Sequence, residues 1–151
     1  MKKTFLTLLV LCLSMVGMAQ AIIEPLLQRE MSQRGNDEKI SIGIIMQEQS
    51  KAADLLAVTN TFATNKERRE YVVKTLKQQA EASQADLLQL LEEMQRNGMV
   101  DDIRPLWIAN AIGCEANPQA INDLAQRSDI KTLYHCENTV LPPTTNNVAV
   151  Q

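Results

Sequence analysis

The chain has 151 residues, 45% apolar and 22% charged, a composition that fits one globular domain and excludes a collagen-like fibre or a multi-domain machine. Fifteen bases against 18 acids give a formal charge of −3, so no bulk positive field draws nucleic acid to it. One histidine and three cysteines are too few for a site of several imidazoles or a four-cysteine zinc cage; no metal and no cofactor are expected.

Lys2 and Lys3 precede the apolar run Phe5 to Met18, and small residues follow at Ala19 and Ala21. A charged start, a short hydrophobic stretch and a small-residue exit make an export signal. The run is about 14 residues, short of the roughly 20 that span a bilayer as a helix, so no stable membrane anchor is expected. Cleavage follows Ala19, leaving Gln20 first, or Ala21 by the A-x-A pattern. Residues 1–19 are assigned to the leader, and Cys12 leaves with it. Without Lys2 and Lys3, 13 bases face 18 acids, a net charge of −5. The destination is the periplasm or the exterior, where Cys114 and Cys136 are chemically free to pair.

Along the mature chain, Glu24 to Arg34 predicts a short helix with Leu26, Leu27 and Met31 as its apolar stripe and Gly35-Asn36 as its stop. Lys39 to Gln47 alternates, with Ile40, Ile42, Ile44 and Met46 on one face, and predicts the first strand. Ala52 to Thr64 reads as a helical turn or an irregular loop. From Lys66 to Arg96 apolar positions recur every three or four residues, predicting one amphipathic helix or two end to end. Asn65 is its expected cap, Ser83 with Asp86 a place to restart, and Asn97-Gly98 its stop.

Val100 to Ile103 and Leu106 to Ala116 predict two further strands. In the second, Leu106, Ile108, Ile112 and Cys114 share one face and Trp107, Ala109, Ala111 and Gly113 the other. A strand with one wet face alternates apolar with polar residues; this one does not, so its second face meets either the N-terminal helix or a partner. Asn117-Pro118 opens a helix that buries Ile121, Leu124 and Ala125, and Ile130 to Cys136 is the last strand. The order matches a ferredoxin-like βαββαβ unit: an α+β fold, residues 20–137, with an antiparallel sheet and helices on one face. The extra N-terminal helix precedes it. Residues 138–151, with Pro142-Pro143 and linker composition, form a flexible tail. In the strand order 4-1-3-2 one strand separates Cys114 from Cys136 by roughly 9 to 10 Å. A disulfide bridges Cα atoms within about 7 Å, so these two pair only if both overrun the sheet edge.

Catalytic groups are scarce. His135 adjoins Cys136, but neighbouring strand residues point to opposite faces and make no dyad. Asp101-Asp102 reads as turn chemistry and Glu92-Glu93 as a solvated helix face. Glycines 35, 43, 98 and 113 are scattered, unlike a phosphate-binding loop. Lys66, Arg68 and Arg69, interleaved with Glu67 and Glu70, read as an ion-paired helix surface. No enzyme is expected.

Several segments carry a family likeness. They are Ile44-Ile45-Met46-Gln47-Glu48-Gln49 with Ala53-Asp54-Leu55; Glu67-Arg68-Arg69 with Val72-Val73 and Leu76; Ser83-Gln84 with Leu87-Leu88; Leu106 to Ile112; and Asn117-Pro118 leading to Leu124 through Ile130. Over most of the mature chain these resemble the prodomain of secreted subtilisin-like serine proteases, in the branch with the fervidolysin-type N-terminal prodomain. The run Leu106-Trp107-Ile108-Ala109-Asn110-Ala111-Ile112 is the most specific piece. The resemblance implies a folding chaperone and inhibitor whose sheet docks on a subtilisin-like protease and whose following segment lies in the active-site cleft. Carried across, Trp107, Ala109, Asn110 and Ala111 become the docking contact, and Glu137, Asn138, Thr139, Val140 and Leu141 the cleft segment. The chain lacks the protease's own Asp-Thr-Gly, His-Gly and Gly-Thr-Ser motifs. It reads as a stand-alone inhibitor or as the N-terminal part of a protease gene. The rival expectation is an extracytoplasmic interaction module with a non-protease partner.

Overall fold

A computed structural model describes residues 20–136. Within them the chain forms β1 (Ile22–Ile23), α1 (Pro25–Gln33), β2 (Ile40–Met46), α2 (Ala52–Thr59), α3 (Asn65–Arg96), β3 (Val100–Leu106), a 3-10 turn (Trp107–Ala109), β4 (Ala111–Ala116), α4 (Pro118–Ala125) and β5 (Ile130–His135). The fold is α+β: a five-stranded mixed sheet in the order β1-β5-β2-β4-β3, with four helices. Five strands replace the expected four. The addition is β1, which pairs in parallel with Thr132 and Leu133 of β5; the other neighbours are antiparallel. Two residues are too few to show a period of two, which is why the sequence pattern conceals it.

The long periodic segments fold as their patterns dictate. In β2 the branched residues Ile40, Ile42 and Ile44 alternate into the core with Met46. In α3 the stripe Ala80, Leu87, Leu91 and Met94 is buried, with Gln84 among them. This helix runs unbroken for 32 residues, about 48 Å, with no interruption near Ala82. Its cap is Thr64 rather than Asn65. The Thr64 hydroxyl accepts from the Glu67 N–H at 3.2 Å, and the Glu67 carboxylate accepts from the Thr64 N–H at 3.0 Å, a reciprocal capping box. Gly98, at φ +74°, ends it. Ala52 to Thr59, left open between helix and loop, is helical. Asn117 caps α4 as expected, its side-chain oxygen accepting from the Ala120 N–H at 2.9 Å.

One core joins the sheet to three helices. Leu27 of α1, Leu87, Leu91 and Met94 of α3, and Ala120, Ile121, Leu124 and Ala125 of α4 pack with Ile40, Ile42, Ile44, Ile112, Cys114 and Leu133. Each fully buried aliphatic side chain contributes roughly 1.5–3 kcal/mol, so this side of the sheet dominates stability.

The segment expected as one strand from Leu106 to Ala116 is broken. Trp107–Ala109 makes a 3-10 turn, and Asn110 takes a left-handed conformation, φ 40° and ψ 60°. The Asn110 side chain is buried and fully used. Its amide nitrogen donates to the Glu48 carbonyl at 2.6 Å and to the Ser83 hydroxyl at 2.8 Å, and its oxygen accepts from the Gln84 amide at 2.9 Å. Its backbone carbonyl accepts from the Met46 N–H and from the Gln49 side chain, both at 3.1 Å. One residue thereby ties the end of β2, the middle of α3 and the β3–β4 turn. Asn110→Gly keeps the backbone conformation and loses the side-chain bonds, which should cost about 2–4 kcal/mol by leaving the Glu48 carbonyl without its partner and Gln84 with only its 3.3 Å bond to the Ala111 carbonyl. Asn110→Ala adds about 1–2 kcal/mol of left-handed strain. Urea midpoints should therefore order wild type, Gly, Ala from most to least stable; an equal midpoint for all three would refute the assignment.

Candidate docking face

The sheet has a second side, which the buried helix residues do not join. Strand pairing sets three rows across it. The first runs Ile22, Thr132, Ile45, Ala111, Leu106. The second runs Tyr134, Gly43, Gly113, Arg104, and the third Ser41, Glu115, Asp101. The first row is apolar but for Thr132 and carries its largest exposure at its ends: Ile22 is 65% exposed and Leu106 45%. Exposed aliphatic side chains gathered in one row are what a partner buries; Ile108, Leu56, Val58 and Val73 are also exposed, outside this row.

The middle row is built on paired glycines. A β-carbon at Gly43 would overlap the Tyr134 ring, and one at Gly113 would stand 3.9 Å from the Arg104 guanidinium. Two long side chains therefore lie flat across the glycines from either edge, the arrangement in which an aromatic ring covers a strand glycine. Burial pushes the Tyr134 phenol above its ordinary value, helped by Cys136 beside it, so the ring stays neutral on the face. Charge is confined to the margin. Arg104 pairs with Asp102 at 3.4 Å, Lys39 pairs with Asp101, and Asp102 sits at φ 51° where the β3 register shifts.

Of the residues singled out from sequence, Ala111 lies on this face, in the apolar row, and is itself buried. Trp107 and Ala109 belong to the 3-10 turn, not to a strand. Trp107 stacks toward α3, with the Lys77 ammonium 5.4 Å from its ring centroid. Asn110 is internal. The turn also reverses the expected side of Leu106, which shares the docking face with Ala111 instead of the core face with Ile112. The residues missed are Ile22, Ile45, Thr132 and Tyr134. Only strand order and register could have placed them on one face, although the doubled Ile44-Ile45 signalled that β2 is apolar on both sides.

Cys114 and Cys136 are free thiols. Ile42 pairs with Cys114 on one side and with His135 on the other, so a strand separates the cysteines and an isoleucine stands between Cys114 and the histidine. The Nδ1 of His135 is buried without a hydrogen-bond partner. Among the described residues no cluster of three or more metal-ligating side chains occurs, and no helix is long and apolar enough to cross a membrane. Residues Glu137 to Leu141, expected in a cleft, and Ala19, an expected cleavage residue, lie outside the described residues. Ala21, the other cleavage residue, is a buried member of the core.

No family model matches the chain, and no curated protein or solved structure does so either.

Two measurements follow. Gly43→Ala should displace the Tyr134 ring and cost about 1–3 kcal/mol by overpacking, and Tyr134→Ala in the same chain should recover most of that loss. A double-mutant cycle with strictly additive terms would show that the ring does not rest on the glycine. The Cys114 thiol is pushed up to about 12, first by burial and then by Cys136. Below its unfolded value near 9 neither state ionises and its contribution is complete. As pH rises toward 12 the unfolded chain loses a proton that the folded chain keeps, so stability falls. Cys114→Ala should flatten this alkaline decline, read as the change in urea midpoint between pH about 8 and about 10. An unchanged slope would remove the assignment.

Proposed function

We propose that this is an exported, prodomain-like protein that binds a subtilisin-like serine protease, as an inhibitor or folding aid, through the helix-free face of its sheet. One observation carries the reading: the apolar row Ile22, Thr132, Ile45, Ala111, Leu106 is continuous across all five strands and ends in exposed aliphatic side chains. The likeness of the Leu106 to Ile112 run and the helix segments to subtilase prodomains supplies the partner class. We read β2, β3, β4 and β5, with the helices between β2 and β3 and between β4 and β5, as a ferredoxin-like unit to which β1 is added beside β5. The order β5-β2-β4-β3 supports this.

In this reading the protein performs no chemistry. The face supplies buried apolar area, Tyr134 and Arg104 supply polar atoms at the two sides, and the chain leaving β5 at Cys136 delivers Glu137 to Leu141 toward the cleft by strand addition. The docking residues shift from the sequence-based set. Ala111 stays, Leu106, Ile45, Thr132 and Ile22 join it, and Trp107 and Asn110 support the turn from behind.

Residues 20–151 should inhibit a subtilisin-type protease assayed on a chromogenic peptide. Leu106→Glu, on an exposed side chain that can be changed without opening the core, should weaken inhibition at least about tenfold. Removing residues 137–151 should abolish inhibition while leaving binding. A protease fully active in micromolar excess of folded protein would overturn the proposal and favour a non-protease partner for the same face.

A further inference from the structure

Two cleavage positions are compatible with the leader, and the fold distinguishes them. Ala21 is buried in the core, and its N–H donates to the Ala125 carbonyl at the end of α4 at 2.9 Å. Ile22 and Ile23 form β1, and the Glu24 N–H continues the pairing on the Leu133 carbonyl at 2.9 Å. A chain starting at Ile22 would lose the Ala21 methyl from the core and put a charged ammonium at the first paired residue. A chain starting at Gln20 keeps all of these contacts. Gln20 is exposed, and its side-chain amide donates to the Gln126 side-chain oxygen at 2.8 Å.

We infer that the mature chain begins at Gln20 and that this residue is a modification site, closed to pyroglutamate. This rests on the export reading of the leader, not on the protease reading. The chemistry needs no oxidant or co-reactant. The Gln20 α-nitrogen attacks its own side-chain carbonyl carbon, an Nα–Cδ bond forms, the Cδ–Nε2 bond breaks, and Nε2 departs as ammonia with a proton from the attacking nitrogen. The five-membered lactam keeps one N–H, and the exposed Nε2 bond to Gln126 is given up to water.

The geometry gives the ring a purpose. Only Gln20 and Ala21 stand between the chain end and a strand of two residues. An aminopeptidase removing those two would strip a core methyl and the hydrogen bond to Ala125, leaving β1 to start at a charged end. A lactam has no free α-amine for such an enzyme to bind. It also carries no charge at the edge of the sheet, where an ammonium would have to remain solvated.

The test uses the full chain, expressed with its own leader and collected after export. The intact mass should equal residues 20–151 less one ammonia, and stepwise N-terminal sequencing should be blocked. A leaderless chain refolded with a free Gln20 amine, carried through the same handling, should keep its ammonia and exclude closure during work-up. Gln20→Ala should be cut at the same bond, be readable by sequencing, and be trimmed by an aminopeptidase that leaves the wild type intact. A start at Ile22, a free amine at Gln20 after export, or equal trimming of both chains would each overturn the inference. A retained leader would overturn it too, while leaving the inhibition assay to judge the protease reading separately.

Discussion

The hydrogen bonds of Asn110 decide how this molecule is assembled. Without them β3 and β4 would be a hairpin attached to the rest of the sheet only by strand pairing, and α3 would lie on it through aliphatic contacts, the Lys77–Trp107 contact and the single Gln84 bond to the Ala111 carbonyl. With them a single side chain fixes α3 at Ser83 and Gln84, the β2 exit at Glu48, and the turn itself. Buried amides are costly unless every group is matched. Here the matching reaches across three elements distant in sequence, so the network has one arrangement and α3 has one longitudinal position. That position sets which residues of the helix reach the core, and it leaves the other side of the sheet uncovered.

The uncovered side follows from composition as much as from geometry. β2 and β4 place Gly43 opposite Gly113, which makes the middle of that side too shallow for a helix to fill with its own side chains. Tyr134 and Arg104 fold over the glycines instead. They leave a low, nearly flat surface bounded by the aliphatic row on one side and by Glu115, Asp101 and Lys39 on the other. A flat apolar strip with charge at its margin is suited to a broad partner surface rather than to a small ligand, which needs a concavity.

Much of this was legible in the sequence. The period of two in Ile40 to Met46, the helical period of Lys66 to Arg96 and the Asn-Pro start of α4 each reflect local physics acting over enough residues to show itself. The turn at Trp107 to Asn110 was not legible, because apolar residues continue through it and no glycine or proline interrupts them. The turn is enforced by the tertiary bonds of Asn110, which a local pattern cannot contain. Gln84 was hidden for the same reason: within the helix stripe it looks like a surface residue until its partner arrives from β4. The candidate docking row is legible only from register, since its members come from five strands. Ala111 alone among the sequence-derived contacts survives on the face, because it lies on the strand side of the turn.

Where the strands end bears on how a partner could engage. β1 covers the outer edge of β5 only at Thr132 and Leu133, while Tyr134 to Cys136 continue past it, still bound to β2 through the Cys136 N–H and the Ser41 carbonyl. An exposed strand edge invites pairing with another chain. By closing the first half of that edge, β1 directs any added strand to the far end of β5, where the chain departs toward Glu137. In the proposed reading β1 removes one place to pair, so that face contact and strand addition by the protease would fall at one end of the sheet.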